Sequence, residues 1–117
     1  MPRYMFLLNR TNNVDFSKFS PEEIQAVTQD YMNWRNKIAA EGRTISGDKL
    51  KDEGGKQLAM QDGELRITDG PFAEVKEILG GYFAITAENY DDAVELSKDC
   101  PHLKYGGTIN IREIQEM

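Results

Sequence analysis

Ile78-Leu79-Gly80-Gly81-Tyr82-Phe83-Ala84-Ile85-Thr86 is the stretch on which the fold turns. It is apolar and aromatic nearly throughout and reads as the central strand of a sheet. The glycine pair inside it marks a bulge or a close approach of another backbone. Just beyond, Asn89 can cap a helix with Asp91 and Asp92 in its first turn, where the helix dipole favours acids. Tyr90, Ala93, Val94 and Ser97 form its narrow inward stripe, and Pro101 is expected to end it. Thr108 to Ile114 then sets Ile109, Ile111 and Ile114 against Asn110, Arg112 and Glu113, a strand pattern whose register slips near the end.

Upstream of the central strand, Asp62-Gly63 lies between Gln57 to Met60 and Glu64 to Thr68, a hairpin signal. Leu65 and Ile67 alternate with Glu64, Arg66 and Thr68, so one face of that strand is expected to be wet. Lys51 to Lys56 is a turn, and Gly54-Gly55-Lys56 lacks the spacing and strand-to-helix context of a phosphate loop. Thr44 to Leu50 is a weak strand interrupted by Gly47. Ser20-Pro21-Glu22-Glu23 opens a helix: Ser20 can cap, Pro21 suits the first helical position, and Glu23 completes a capping box. Ile24, Val27, Tyr31, Trp34 and Ile38 make its apolar stripe, and Gly42 its C-terminal stop. Arg3 to Leu8 is a buried strand, followed by a polar loop from Asn9 to Asp15. The order is β-α-β-hairpin-β-α-β, with no linker, repeat or low-complexity tract, so residues 1–117 are expected to form one domain.

This order fits an α+β fold in which an antiparallel sheet carries both helices on one face. The other face then has no helix to cover it. An exposed apolar sheet face invites a partner, and two-fold pairing of sheet on sheet is the simplest cover, so a homodimer is expected. The 117 residues include 14 Lys and Arg against 20 Asp and Glu, a net charge of −6. That balance argues against direct binding to nucleic acid or to an anionic membrane surface, both of which need a basic face. The longest apolar run, Met5 to Leu8, is far short of the ~20 residues a membrane helix requires. No secretory signal is expected, and a cytoplasmic location is the default. Cys100 is the only cysteine, which excludes an internal disulfide and any cysteine-rich metal site.

Asp69-Gly70-Pro71-Phe72-Ala73-Glu74-Val75-Lys76-Glu77, followed by Gly80-Gly81-Tyr82-Phe83, is the most distinctive segment. Gly70 permits a positive φ, Pro71 fixes the next one, Asp69 can close the turn, and Phe72 can anchor it on apolar surface. The segment resembles the DGPF signature of the YCII-related family, small bacterial proteins with a ferredoxin-like fold that pair into a dimeric α+β barrel. The resemblance runs from Tyr4-Met5-Phe6-Leu7-Leu8 through Ser20-Pro21-Glu22-Glu23 and Trp34 to Ile111-Arg112. It implies a βαββαβ ferredoxin-like domain with an extra hairpin strand. Some relatives look like muconolactone isomerases, the wider family has a proposed His/Asp site, and members with this motif are linked by gene neighbourhood to sigma factors of transcription initiation. Relatives typically carry a Glu before a terminal Val-Arg-Pro; here the run is Asn110-Ile111-Arg112-Glu113, with a neutral amide for the acid and no Pro, so if that Glu carries a proton in relatives this chain cannot use it in the same way.

His102, the only histidine, is either a general base or a solvated residue at a helix end. A lone histidine gives no case for zinc, and neither metal nor cofactor is expected. Asp69 is either an acid or base at the mouth of a cavity or a turn-closing carboxylate. Glu74, Lys76 and Glu77 can bind a polar ligand or another subunit or lie on a solvated surface, and Phe72 joins Glu74 and Lys76 as a candidate ligand contact. Arg112 either sits on the wet face or points into the barrel to hold an anion, and the resemblance favours the second; Arg66 is a weaker candidate for the same part. Cys100 follows a helix end, where the dipole disfavours a thiolate, and reads as structural. Trp34, Tyr31, Tyr82 and Phe83 read as core or barrel lining. Three functions follow. The first is a small-molecule cavity with acid/base chemistry on a small carbonyl or lactone-like compound, using Asp69 or His102 as base and Arg112 as anion holder. The second is a non-catalytic partner of the transcription machinery, and the third a metabolite-binding sensor.

Overall fold

The structure, a computed structural model, describes residues 1–11, 18–70 and 77–117. In chain order the elements are β1 (Arg3–Thr11), α1 (Pro21–Ala40), β2 (Ile45–Lys49), β3 (Lys56–Gln61), β4 (Glu64–Asp69), β5 (Glu77–Thr86), α2 (Tyr90–Lys98), α3 (Pro101–Lys104) and β6 (Thr108–Glu113). Four strands form an antiparallel sheet in the order β2-β5-β1-β6, and among the described residues β3 pairs only with β4. With the hairpin set aside, this is the ferredoxin-like arrangement: the chain's first strand lies between its last strand and β5. The α+β class, the antiparallel sheet and the extra hairpin expected from sequence are all present.

β1 shows how the two sheet faces divide. Tyr4, Phe6 and Leu8 are buried, whereas Met5 and Leu7 are half-exposed. The buried set packs with Trp34 and Ile38 of α1, Ala93 of α2 and Ile85 of β5, so the helices lie on that side. The Trp34 indole donates to the Leu96 carbonyl at 3.0 Å and meets the Phe83 ring edge-on, joining α1 to α2 and to the sheet. Ser20 and Glu23 form the reciprocal capping box at the start of α1. Asn89 accepts from the Asp92 amide at the start of α2. Arg43 makes two bonds to the Asp92 carboxylate, at 2.7 and 3.1 Å, and a third to the Thr86 carbonyl. This fixes the segment after α1 against the second strand-to-helix turn.

Three local expectations change. β1 runs on to Thr11, because Arg10 and Thr11 pair with Ile78 and Glu77; ladder pairing outweighs their polar character. Pro101 does not merely stop α2 but begins α3, where its missing N–H costs nothing. On the α1 and α2 stripes, Ile24, Tyr90 and Val94 stay exposed, so the buried contacts come from the parts nearest the sheet centre. The remainder of the expected polar loop, residues 12–15, lies outside the described residues.

The glycine pair has both expected effects. Leu8 faces Gly81 and Asn9 faces Leu79, which leaves Gly80 as the extra residue of a bulge. A Cβ on Gly81 would come within 2.9 Å of the Asp48 carbonyl oxygen. The Asp62-Gly63 turn has φ of 51° and 80°, as a two-residue hairpin of the primed type requires.

Candidate functional site

His102 is held from both sides. Its Nε2 lies 2.7 Å from the Asn9 carbonyl oxygen, and its Nδ1 lies 3.3 Å from the Tyr31 hydroxyl. A carbonyl can only accept, so Nε2 carries the hydrogen; in the neutral ring Nδ1 then accepts from Tyr31. The ring is half-buried. Both ring nitrogens are thus engaged within the chain. Gly107 is what admits the ring, since a Cβ there would run into three of its atoms. Tyr31 is held in its protonated form, because burial raises its hydroxyl well above the ordinary tyrosine range and nearby Cys100 and Tyr105 add to the effect.

Tyr31 also lines a pocket. A cavity of about 240 Å³ lies between α1 and the β2–β5 edge of the sheet. Its sheet side includes Gly47, Gly80 and Gly81, where backbone stands in place of side chains. Gly47 is required there: a Cβ would collide with the Tyr82 carbonyl oxygen and come within 2.7 Å of the Phe83 ring. Tyr31 and Arg35 stand one helical turn apart on α1, and Phe83 completes the wall. The Arg35 guanidinium carbon lies 5.9 Å from the centre of the Phe83 ring. Asp48 and Lys49 complete the lining. The pocket thus joins a cation, an aromatic face and a tyrosine that touches the only histidine.

A larger cleft of about 590 Å³ runs between α1 and α2–α3, lined by Trp34, Cys100, Pro101 and Leu103 among others. Its charges are already matched: Lys37 with Asp99 at 2.8 Å, and Lys104 with Asp30 at 3.1 Å. Tyr105 also donates to Asp30, and with Lys104 it holds that carboxyl below its usual range. Cys100 is buried, and burial pushes its thiol up to about 11, so thiolate chemistry has no support there.

The sequence candidates fall in different places. Asp69 ends β4, exposed, with Lys56 Nζ 2.6 Å from its carboxylate. Arg112 faces Met5 in the β1–β6 register, and is exposed on the sheet face away from the helices. That open face also carries Leu7, Ala84 and Tyr82, whose hydroxyl donates to Asp48 at 2.6 Å. His102 lies on the helix side. Within one chain the structure therefore does not bring Asp69, His102 and Arg112 to one pocket. Phe72, Glu74 and Lys76 lie outside the described residues. Sequence reasoning took Tyr31 as core or barrel lining and passed over Arg35. The signal available for the pair was their spacing on the α1 face, one turn apart beside Trp34.

The profile of the YCII-related domain matches residues 3–117. An uncharacterized protein of Rhizobium meliloti (strain 1021) is 31% identical over 84 residues, covering 71% of this chain and 68% of its own length. No described helix is long and apolar enough to cross a membrane. With a profile match that takes in the capped helix, the glycine-broken strand and the terminal strand alike, the chain belongs to the YCII-related family.

Proposed function

We propose that this protein is a homodimeric small-molecule binding domain whose α1–sheet pocket supports proton transfer on a small anionic carbonyl or lactone-like compound. The observation that carries the reading is Tyr31: it lines the pocket and bonds to His102, while Arg35 one turn away supplies a cation. In this reading Arg35 holds a carboxylate and Tyr31 touches the reacting group. Tyr31 passes its own proton to His102 Nδ1 as it takes one from the ligand. The imidazolium so formed keeps its Nε2 bond to the Asn9 carbonyl. His102 thus retains the base role read from sequence, at one remove. Arg112, on the opposite face, serves the sheet-to-sheet contact of the dimer, and Asp69 stays a turn and ion-pair residue. Phe72, Glu74 and Lys76 precede the strand that lines the pocket and are kept as ligand contacts.

A sensor that binds without turnover is the second reading, favoured by one fact: both His102 nitrogens are already engaged. One experiment separates the two. Short 2-oxo acids and lactone carboxylates are screened by thermal melting, and the best binder is followed by NMR for exchange of its α-hydrogens with deuterium oxide. Binding that raises the melting temperature in wild type and is lost in Arg35→Ala supports the pocket. Exchange that is present in wild type and lost in Tyr31→Phe supports the relay. Binding without exchange selects the sensor, and binding indifferent to Arg35→Ala rejects the pocket.

A further inference from the structure

The β3–β4 hairpin is an arm. Every residue from Lys56 to Asp69 is exposed, and among the described residues the two strands pack on each other and on no other element to a comparable extent. The radius of gyration is 16.4 Å, against about 13 Å for a compact chain of this length. Register divides the arm into two unlike faces. Leu58 faces Ile67 and Met60 faces Leu65, while the other side carries Gln57, Ala59 and Gln61 against Thr68, Arg66 and Glu64. Leu58, Met60, Leu65 and Ile67 are 60%, 66%, 54% and 58% exposed. Beyond the Lys56–Asp69 ion pair at its base, one side of the arm is therefore apolar and exposed among the described residues.

We infer that the arm is the clasp of the dimer, its Leu58, Met60, Leu65 and Ile67 side lying on a second copy of this chain. The inference rests on the homodimer reading and goes beyond it, because the sheet face alone does not call for an arm. Two arguments fix the occupant. A lone two-stranded hairpin is marginal in water, so its cover must be present wherever the chain is present, which a second copy guarantees. Area gives the second argument. Four such side chains expose roughly 400 Å², the size at which a patch on a monomer becomes an interaction site. Two arms alone would bury roughly 800 Å², short of the ~1,200 Å² that specific interfaces start from. The open sheet face with Met5, Leu7, Tyr82 and Ala84 makes up the difference, so arm and sheet belong to one interface. Arg10 steadies the base of the arm from β1, its Nη2 donating to the Asp52 carbonyl at 2.9 Å.

The test measures self-association by sedimentation equilibrium for wild type, for Leu58→Ser/Ile67→Ser, and for Gln57→Lys on the polar side. The changed residues are exposed in the single chain, and circular dichroism checks that each variant keeps its helices. A wild-type dimer whose Kd rises about 100-fold or more in the double variant, and is unmoved by Gln57→Lys, supports the clasp. A double variant within about twofold of wild type overturns the clasp and leaves the sheet dimer standing. A wild type that is monomeric at tens of micromolar overturns both. A second measurement uses Met60→Cys carrying a benzophenone, the buried Cys100 being shielded from the label. Photo-crosslinks between two chains support the clasp. Crosslinks confined to one chain overturn it, since the arm would then fold back on its own sheet.

Discussion

Replacing Gly107 with Ala should dislodge His102, and the size of the effect can be worked from the contacts. The new methyl would occupy the space of Nε2, Cε1 and Cδ2 of the ring. The ring cannot stay where it is, so its bonds to the Asn9 carbonyl and the Tyr31 hydroxyl are lost together. Each is worth about 1 kcal/mol net, and displacing a packed ring adds about 1–3 kcal/mol. Gly107→Ala should therefore destabilise by about 3–5 kcal/mol. In a His102→Ala background the ring is gone and the same methyl enters vacated space, so the added cost should fall below about 0.5 kcal/mol. The assay is urea unfolding of the four proteins of this cycle, followed by the fluorescence of Trp34, the only tryptophan and buried in the core. Additivity of the two changes to within about 0.5 kcal/mol would refute the argument, because it would mean that the glycine answers to something other than the ring.

Two further outcomes follow from the same contacts. Arg43 and the Glu88 amide hold the Asp92 carboxyl below its ordinary range. The folded state thus binds that proton less tightly than the unfolded chain, and the stability it adds is present above about pH 4 and lost as pH falls through the lowered folded value. Asp92→Asn should cost about 2 kcal/mol at pH 7, and urea titrations should show the gap to wild type closing toward pH 2; a gap constant with pH would count against the pair. Gly47→Ala should cost about 2 kcal/mol through its clash with the Tyr82 carbonyl and the Phe83 ring, and should abolish ligand-induced stabilisation, whereas Ser46→Ala on the other sheet face should do neither in the same melting assay.

The element order was legible because its signals are local. Ser20, Pro21 and Glu23 cap α1 within one turn, Asn89 does the same for α2, and Asp62-Gly63 turns the hairpin. The bulge at Gly80 was legible as one of two readings, a bulge or a close backbone approach, that a glycine pair inside an apolar strand allows. The surroundings of His102 were not. Its partners, Asn9 and Tyr31, are 93 and 71 residues away in the chain, and no local pattern reports such a meeting. Pro101 was ambiguous for a related reason: a proline after a helix either closes it or opens the next, and the residues around it permit both. Leu65 and Ile67 expose a different limit. Alternation established that one face of β4 is apolar, but not which molecule covers that face.

The proposed proton path follows from what Tyr31 cannot do. Its hydroxyl is raised by burial, so a standing phenolate is not populated at neutral pH. A ligand proton can be accepted only while the hydroxyl's own proton departs, and its bonded acceptor is His102 Nδ1. The relay thus requires both side chains, whereas binding requires only the pocket. On the proposed mechanism Tyr31→Phe should keep ligand-induced stabilisation close to wild type and lose exchange, and His102→Gln should do the same with the pocket wall intact. If either variant kept the exchange rate, the proton would be leaving by another route, and the link between α3 and the pocket would be structural alone.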